Sequence, residues 1–141
     1  MSIYRKVVED QNTSIFANVD ISKDTVVFSL KELSLMTTNN RFAIRKNDDV
    51  YYNTLNSDVR FVNHSCNPNL VFSDLSEMFY ANKNIQKDTE LTYDYETTET
   101  WFVEPFHCKC KEPNCRGRIG YVLKQIDSHY PFLTTIDTCA V

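Results

Sequence analysis

The residues best equipped for chemistry are concentrated in the run Arg60-Phe61-Val62-Asn63-His64-Ser65-Cys66-Asn67-Pro68-Asn69, which holds an imidazole, a thiol and the amides of Asn63, Asn67 and Asn69. A second group is Glu90-Leu91-Thr92-Tyr93-Asp94-Tyr95, where two phenols flank a carboxylate. A third is Cys108-Lys109-Cys110, followed by Cys115. Thiolates at this spacing suit a tetrahedral zinc ion, which tolerates ligands close together in the chain. They suit a disulfide poorly, because a bridge needs Cα atoms about 4.4–6.8 Å apart with converging Cβ vectors. Lys111-Glu112-Pro113-Asn114 supplies a turn between ligands. Three ligands leave the shell incomplete. The candidates for the fourth are Cys66, Cys139, His107 and His64, and spacing alone does not choose among them. Cys139 stands near a terminus without a partner pattern.

The elements that must position these groups are mostly short strands. Tyr4 to Val8, Ser14 to Val19 and Thr25 to Leu30 carry alternating apolar or β-branched residues and are expected as strands. Ser22-Lys23-Asp24 is turn material, and Thr37 to Asn40 is a polar break. Phe42 to Arg45 and Val50 to Tyr52 flank a hairpin loop at Lys46 to Asp49. Leu70 to Phe72 and Met78 to Ala81 form another expected pair, and Glu90 to Tyr95 returns to strand after the polar stretch Asn82 to Asp88. Helical spacing occurs once, at Ile119, Val122, Leu123, Ile126 and Tyr130, with Pro131 as the stop. One amphipathic helix is expected there, covering a sheet face.

Composition narrows the function. With 141 residues, 42% of them hydrophobic, the chain fits one domain with a single core. Its 2 glycines argue against a glycine-rich phosphate loop. A net charge of −4 argues against general nucleic-acid binding and would suit a basic substrate such as a lysine-rich peptide. The start, MSIYRKVVEDQN, has no apolar signal region, and no run approaches the ~20 apolar residues that span a bilayer. A soluble, intracellular protein is expected, in the cytoplasm, or in the nucleus of a eukaryote. In a reducing compartment its five cysteines serve as thiols or metal ligands.

Together the three groups resemble the SET-domain protein lysine methyltransferases. Asn63-His64-Ser65-Cys66-Asn67-Pro68-Asn69 matches that family's N-H-S-C-x-P-N motif. Glu90 to Tyr95 matches its E-L-x-[YF]-D-Y motif, and Cys108-x-Cys110-x4-Cys115 matches its post-SET zinc motif, in the family's order. The strong match covers roughly Arg60 to Gly120. The size resembles the small standalone members. The resemblance implies a mainly β fold of small twisted sheets with a C-terminal pseudoknot, a zinc-binding post-SET segment and a short C-terminal helix. It divides the chain into a SET domain at 1–105, a post-SET segment at 106–120 and a helix and tail at 121–141. It implies S-adenosylmethionine held by Asn63 and His64, with Phe106 packing near it, and one structural zinc held by Cys66, Cys108, Cys110 and Cys115. Tyr95 corresponds to the active-site tyrosine. Tyr93 occupies the Tyr/Phe switch position, which implies mono- or dimethylation. The implied substrate is a lysine in a protein or peptide, histone-like proteins among the candidates, added as a strand to an exposed edge. Asp94 is expected to make structural hydrogen bonds, and His64 to contact the cofactor chiefly through its backbone.

The match fails in two places. The family's G-x-G becomes Asn12-Thr13-Ser14, whose side chains are expected to crowd the cofactor or to bond with it. Its E-Y-x-G-E segment becomes Phe28-Ser29-Leu30-Lys31-Glu32, retaining Glu32, with Tyr51, Tyr52 and Tyr80 as candidate replacements for the lost tyrosine. Two competing readings follow: a catalytically weak SET-like module that keeps zinc and a peptide groove, and an unrelated zinc-ribbon interaction domain.

Overall fold

The structure is a computed structural model and describes residues 2–47, 49–99 and 102–120. The chain opens with an antiparallel hairpin, β1 (Tyr4–Glu9) and β2 (Asn12–Ala17). Its two-residue turn puts Asp10 and Gln11 at φ 48° and 69°, the left-handed pair that matches the twist of the flanking strands. Strand β2 starts earlier than the expected Ser14, because the pairing with β1 continues to the turn, with Asn12 opposite Glu9.

Two three-stranded sheets follow. One is ordered β3 (Val26–Ser29), β9 (Met78–Ala81), β8 (Leu70–Ser73); the other β4 (Leu35–Met36), β6 (Val50–Tyr52), β5 (Ile44–Asn47). Strand β5 runs through Lys46 and Asn47, which were expected in the hairpin loop, because Asn47 still pairs with Val50 beyond a bulge. The main core draws on the first hairpin and on both three-stranded sheets: Ile15, Leu30, Ile44, Leu70, Phe79 and Leu91 are almost fully buried in one cluster. Such a core forms because short strands each bury one face and none buries enough alone.

Two short strands organise the rest. β7 (Asn63–His64) and β10 (Thr92–Tyr93) pair in parallel, Asn63 beside Thr92 and His64 beside Tyr93. A parallel pair needs a crossover, and here the β8–β9 hairpin lies between the two strands in sequence. Ser65 N–H extends the pairing to Tyr93 O at 3.1 Å. The crossing that the expected pseudoknot requires thus joins the two motif segments. The expected strand Glu90 to Tyr95 shortens to Thr92–Tyr93. Asp94 caps a 3-10 turn, Tyr95–Thr97, by accepting from Glu96 N–H at 3.0 Å, and this breaks the strand.

The described chain ends in a small hairpin of β11 (Phe106–His107) and β12 (Arg118–Ile119). The helix expected from Ile119 does not begin there: Ile119 is a strand residue opposite Phe106, with its side chain fully buried against Cys66 and Phe102. The remainder of that helix, and Cys139, lie outside the described residues. Among the described residues no helix is long and apolar enough to cross a membrane.

Candidate active site and metal centre

A cleft of about 1100 Å³ runs between the first hairpin, β7, β10 and the segment before β11. Asn63, His64, Tyr93, Tyr95 and Phe106 all line it, so five residues singled out from the sequence converge on one concavity. The rings of His64, Tyr93, Tyr95 and Phe106 form a continuous wall. Tyr95 lies 4.8 Å from Tyr93, 5.3 Å from His64 and 5.9 Å from Phe106, centroid to centroid. Tyr51, Tyr52 and Tyr80 do not line it. The Tyr52 hydroxyl instead donates to Glu77 Oε1 at 2.6 Å, which binds the middle strand of one sheet to the turn of another.

The Tyr95 hydroxyl donates to the Val62 carbonyl at 2.6 Å. That bond occupies its proton and leaves the oxygen lone pairs for the cleft. Removal from bulk water raises the Tyr95 pKa above its ordinary value, so the group stays a neutral phenol at physiological pH. Tyr93 is buried between Phe79 and Tyr95, and burial, then the neighbouring Tyr95 and Glu99, push its pKa well up.

The His64 side chain is 2% exposed, and burial pulls its pKa down to about 4, although Asp94 at 3.7 Å opposes this. Its Nδ1 accepts from Tyr95 N–H at 3.1 Å, so the neutral ring carries its proton on Nε2, facing Cys66 Sγ at 3.3 Å. The imidazole therefore ties the start of the 3-10 turn to the cysteine cluster and has no ring nitrogen left for a ligand in the cleft.

Cys66, Cys108, Cys110 and Cys115 bring their sulfurs within 4.8 Å of one another, with Cys66 and Cys108 at 3.9 Å. A tetrahedral zinc with Zn–S near 2.3 Å requires sulfurs roughly 3.8 Å apart. The donor set fits this ion in number, type and spacing. Burial pushes the Cys66 and Cys108 thiols up, whereas Cys110, against the desolvation, is brought down to about 6 by backbone hydrogen bonds at Cys66 and Glu112. A divalent cation among four sulfurs would offset the cost of ionising the buried ones. Two N–H groups already point at the Cys66 sulfur, from His64 Nε2 and from Arg116 N at 3.4 Å, as expected around a thiolate.

Several contacts of the site carry no sequence signal, even where the residue, as with Asn69, belongs to a motif. Asn69 is buried and holds the two motif segments together, its amide donating to Glu90 O at 2.8 Å and accepting from Thr92 N–H at 2.9 Å. Asn114 and Glu112 pin the cysteine segment by bonding Cys66 O and the Asn67 amide, at 2.8 and 3.1 Å. Glu99 and Phe102 line the cleft, both buried. Glu99 Oε2 accepts from Arg45 N–H at 2.9 Å, while burial raises its carboxyl pKa. None of these contacts has a spacing that could be read from the chain. Asp94, expected to make structural bonds, caps the turn and also binds Arg116.

At the edge of the cleft, Asn12 and Ser14 hold places where the similar family carries glycine. Both lie in regular antiparallel pairing and neither has a positive φ, so this backbone does not need glycine there. Asn12 lines the main cleft. Ser14 lines a smaller neighbouring hollow, and its hydroxyl faces the Asn63 amide.

Comparison with known proteins agrees with this geometry. The family model described as SET domain matches residues 12–96. A histone-lysine N-methyltransferase, H3 lysine-36 specific, from Mycosarcoma maydis is 42% identical over 67 residues, covering 43% of this chain and 7% of the relative. The histone-lysine N-methyltransferase ash1 of Drosophila melanogaster is 43% identical over 72 residues, covering 47% of this chain and 3% of the relative. The chain thus spans under a tenth of the length of either relative. Among solved structures, KRYPTONITE in complex with mCHH DNA, an H3(1-15) peptide and SAH superposes with a TM-score of 0.63 at 22% identity, over 79% of this chain and 28% of that one.

Proposed function

Because the chain belongs to the SET-domain family, we propose that it transfers a methyl group from S-adenosylmethionine to the side-chain amine of a lysine in a protein or peptide, with mono- or dimethyl-lysine as product. The observation that carries this reading is the meeting of Asn63, His64, Tyr93, Tyr95 and Phe106 on one cleft with the four-cysteine cluster at its edge. Asn63, the His64 backbone and Phe106 would hold the cofactor, which when bound supplies an electrophilic methyl group on a sulfonium. The four cysteines would hold a structural zinc. Residues 1–105 then form the SET domain and 106–120 the post-SET segment that closes over it.

The work left to the protein is alignment and exclusion of water. A free lysine amine has a pKa near 10.4 and must arrive neutral. The aromatic wall of Tyr93, Tyr95 and Phe102 encloses the lysine stem, and this low-dielectric setting disfavours the ammonium form. Tyr95, with its proton engaged by Val62 O, offers lone pairs that orient the amine and the methyl hydrogens. As a neutral phenol it serves as a positioning group. The buried Tyr93 hydroxyl occupies room that a trimethylated amine would need.

The relatives, whose names specify histones, and the H3 peptide bound to KRYPTONITE support a histone-like substrate class. A histone-like tail, basic and extended, complements a chain of net charge −4 and would place the protein inside the cell, in a nucleus where one exists. DNA is part of the KRYPTONITE complex and is not carried over to this chain, which covers 28% of that one.

The test is labelled methyl transfer to a lysine-peptide array, with product masses read by mass spectrometry. Tyr95→Phe should lower transfer by at least ~10-fold, the scale of one lost transition-state contact of about 1.4 kcal/mol. Tyr93→Phe should raise the proportion of higher methylation states. Transfer undiminished in Tyr95→Phe would remove the role assigned to that hydroxyl. Absence of S-adenosylmethionine binding to the wild-type protein would favour the non-catalytic peptide-binding module.

A further inference from the structure

We propose that Ser14 is a positioning residue of the cofactor cleft, clamping the Asn63 amide together with Glu90; this rests on the methyltransferase reading above. The Asn63 Nδ2 donates twice, to Ser14 Oγ at 3.1 Å and to Glu90 Oε2 at 2.9 Å. A carboxylate only accepts, so Glu90 requires the nitrogen edge of the amide to face it, and the orientation of the amide is set. With both amide hydrogens engaged, the carbonyl oxygen is the polar atom Asn63 has left. That atom sits on a residue lining the main cleft, while Ser14 lines only the smaller hollow behind it.

The arrangement comes from the fold. Ser14 lies on β2, opposite Val7 of β1. Strand β2 also joins the Glu90 segment through the Phe16–Glu90 bridge and the bond from Leu91 N–H to Ile15 O at 2.8 Å. Asn63 is brought to the same place by the parallel pairing of β7 with β10. A glycine at position 14 would leave the amide with Glu90 alone, free to turn about that single bond. The hydroxyl supplies a second fixed point. An exposed amide held at two points loses less rotational freedom when a ligand binds, so its carbonyl oxygen is preorganised as an acceptor for the ammonium or hydroxyl donors of S-adenosylmethionine. The substitution at the family's second glycine thus adds a support to the cofactor residue and leaves the main cleft open.

The test is a double-mutant cycle read by calorimetry of S-adenosylmethionine and S-adenosylhomocysteine binding to the full chain. Ser14→Ala should weaken both by about fivefold, the equivalent of one net hydrogen bond of about 1 kcal/mol. Ser14→Thr, which keeps the hydroxyl, should restore most of the affinity. In an Asn63→Ala background, Ser14→Ala should change nothing further, because the group it positions is gone. Thermal unfolding midpoints, measured in parallel, should be the same for Ser14→Ala and wild type. Equal or tighter binding by Ser14→Ala, or an equal loss in both backgrounds, would overturn the clamp. Failure of the wild-type protein to bind either ligand would instead overturn the methyltransferase reading, and the two failures are told apart by that control.

Discussion

Asp94 and Arg116 form a two-point ion pair, Nη1 to Oδ2 at 2.8 Å and Nη2 to Oδ1 at 2.6 Å. It links the end of β10 to the last turn of the cysteine segment. The same carboxylate caps the Tyr95–Thr97 turn, and the Arg116 backbone N–H reaches Cys66 Sγ. One residue pair therefore couples the aromatic wall to the cysteine cluster. Asp94→Ala removes a cap and leaves a guanidinium without its main partner. It should lower stability by about 2 kcal/mol, measured by urea unfolding. Arg116→Lys, which cannot make the planar two-point contact, should lose about half as much.

If the cysteine cluster holds the proposed zinc, metal content and ligand binding should change together. Cys66→Ser should reduce bound zinc from one per chain to none, by elemental analysis, and binding of S-adenosylmethionine should be lost with it. Full zinc occupancy in that variant would show that Cys66 is not the fourth ligand. Chelation of the wild-type protein should have the same two effects, because Cys66 stands three residues after Asn63 and shares its segment.

Gly120 has φ +90°, and a Cβ there would stand 2.5 Å from Phe102 Cγ. Gly120→Ala is therefore strained in its backbone and also pushes Phe102, part of the cleft wall, out of place. A loss of roughly 2–4 kcal/mol is expected from the two together, read by thermal denaturation. Phe102→Leu in the same chain should recover part of the loss by making room, and a double mutant no more stable than Gly120→Ala would exclude the clash as the cause.

Glu99 sets a pH dependence. Burial raises its carboxyl pKa in the folded state, although the Arg45 N–H bond opposes this. Between the unfolded and folded values the native state holds a proton that the unfolded state has lost, so stability falls as pH rises through that window and stays lower above it. Glu99→Gln keeps an oxygen for Arg45 N–H but carries no charge. It should be more stable than wild type at pH 7, and the advantage should vanish at pH 4 and below. An advantage of the same size at both pH values would show that it does not come from ionisation of Glu99.

How far the sequence reaches depends on the kind of residue. The hairpins at Tyr4 to Ala17 and Leu70 to Ala81 are legible because alternating apolar side chains and local turns specify them. The spacing of Ile119 to Val122, Leu123 and Ile126 has helical period, yet pairing with Phe106 and burial against Phe102 make Ile119 a strand residue. Periodicity records which side chains want burial, and a short stretch can satisfy that want in either geometry. The strand end after Tyr93 is hidden for a related reason: Asp94 fits the strand pattern, whereas its carboxylate caps a turn.

The sequence by itself determined the chemistry available: three closely spaced thiols suited to a metal, two tyrosines two residues apart, and an Asn-His pair that the family resemblance assigns to the cofactor. These properties belong to side-chain type and short-range spacing, which folding does not alter. The tertiary structure alone decided which groups meet. Ser14 reaches Asn63 across 49 residues, Arg116 reaches Asp94 across 22, and Glu99 reaches Arg45 across 54. Such contacts follow from strand register and from the parallel crossing of β7 and β10. A register is set by the whole buried core, and no local run of residues encodes it.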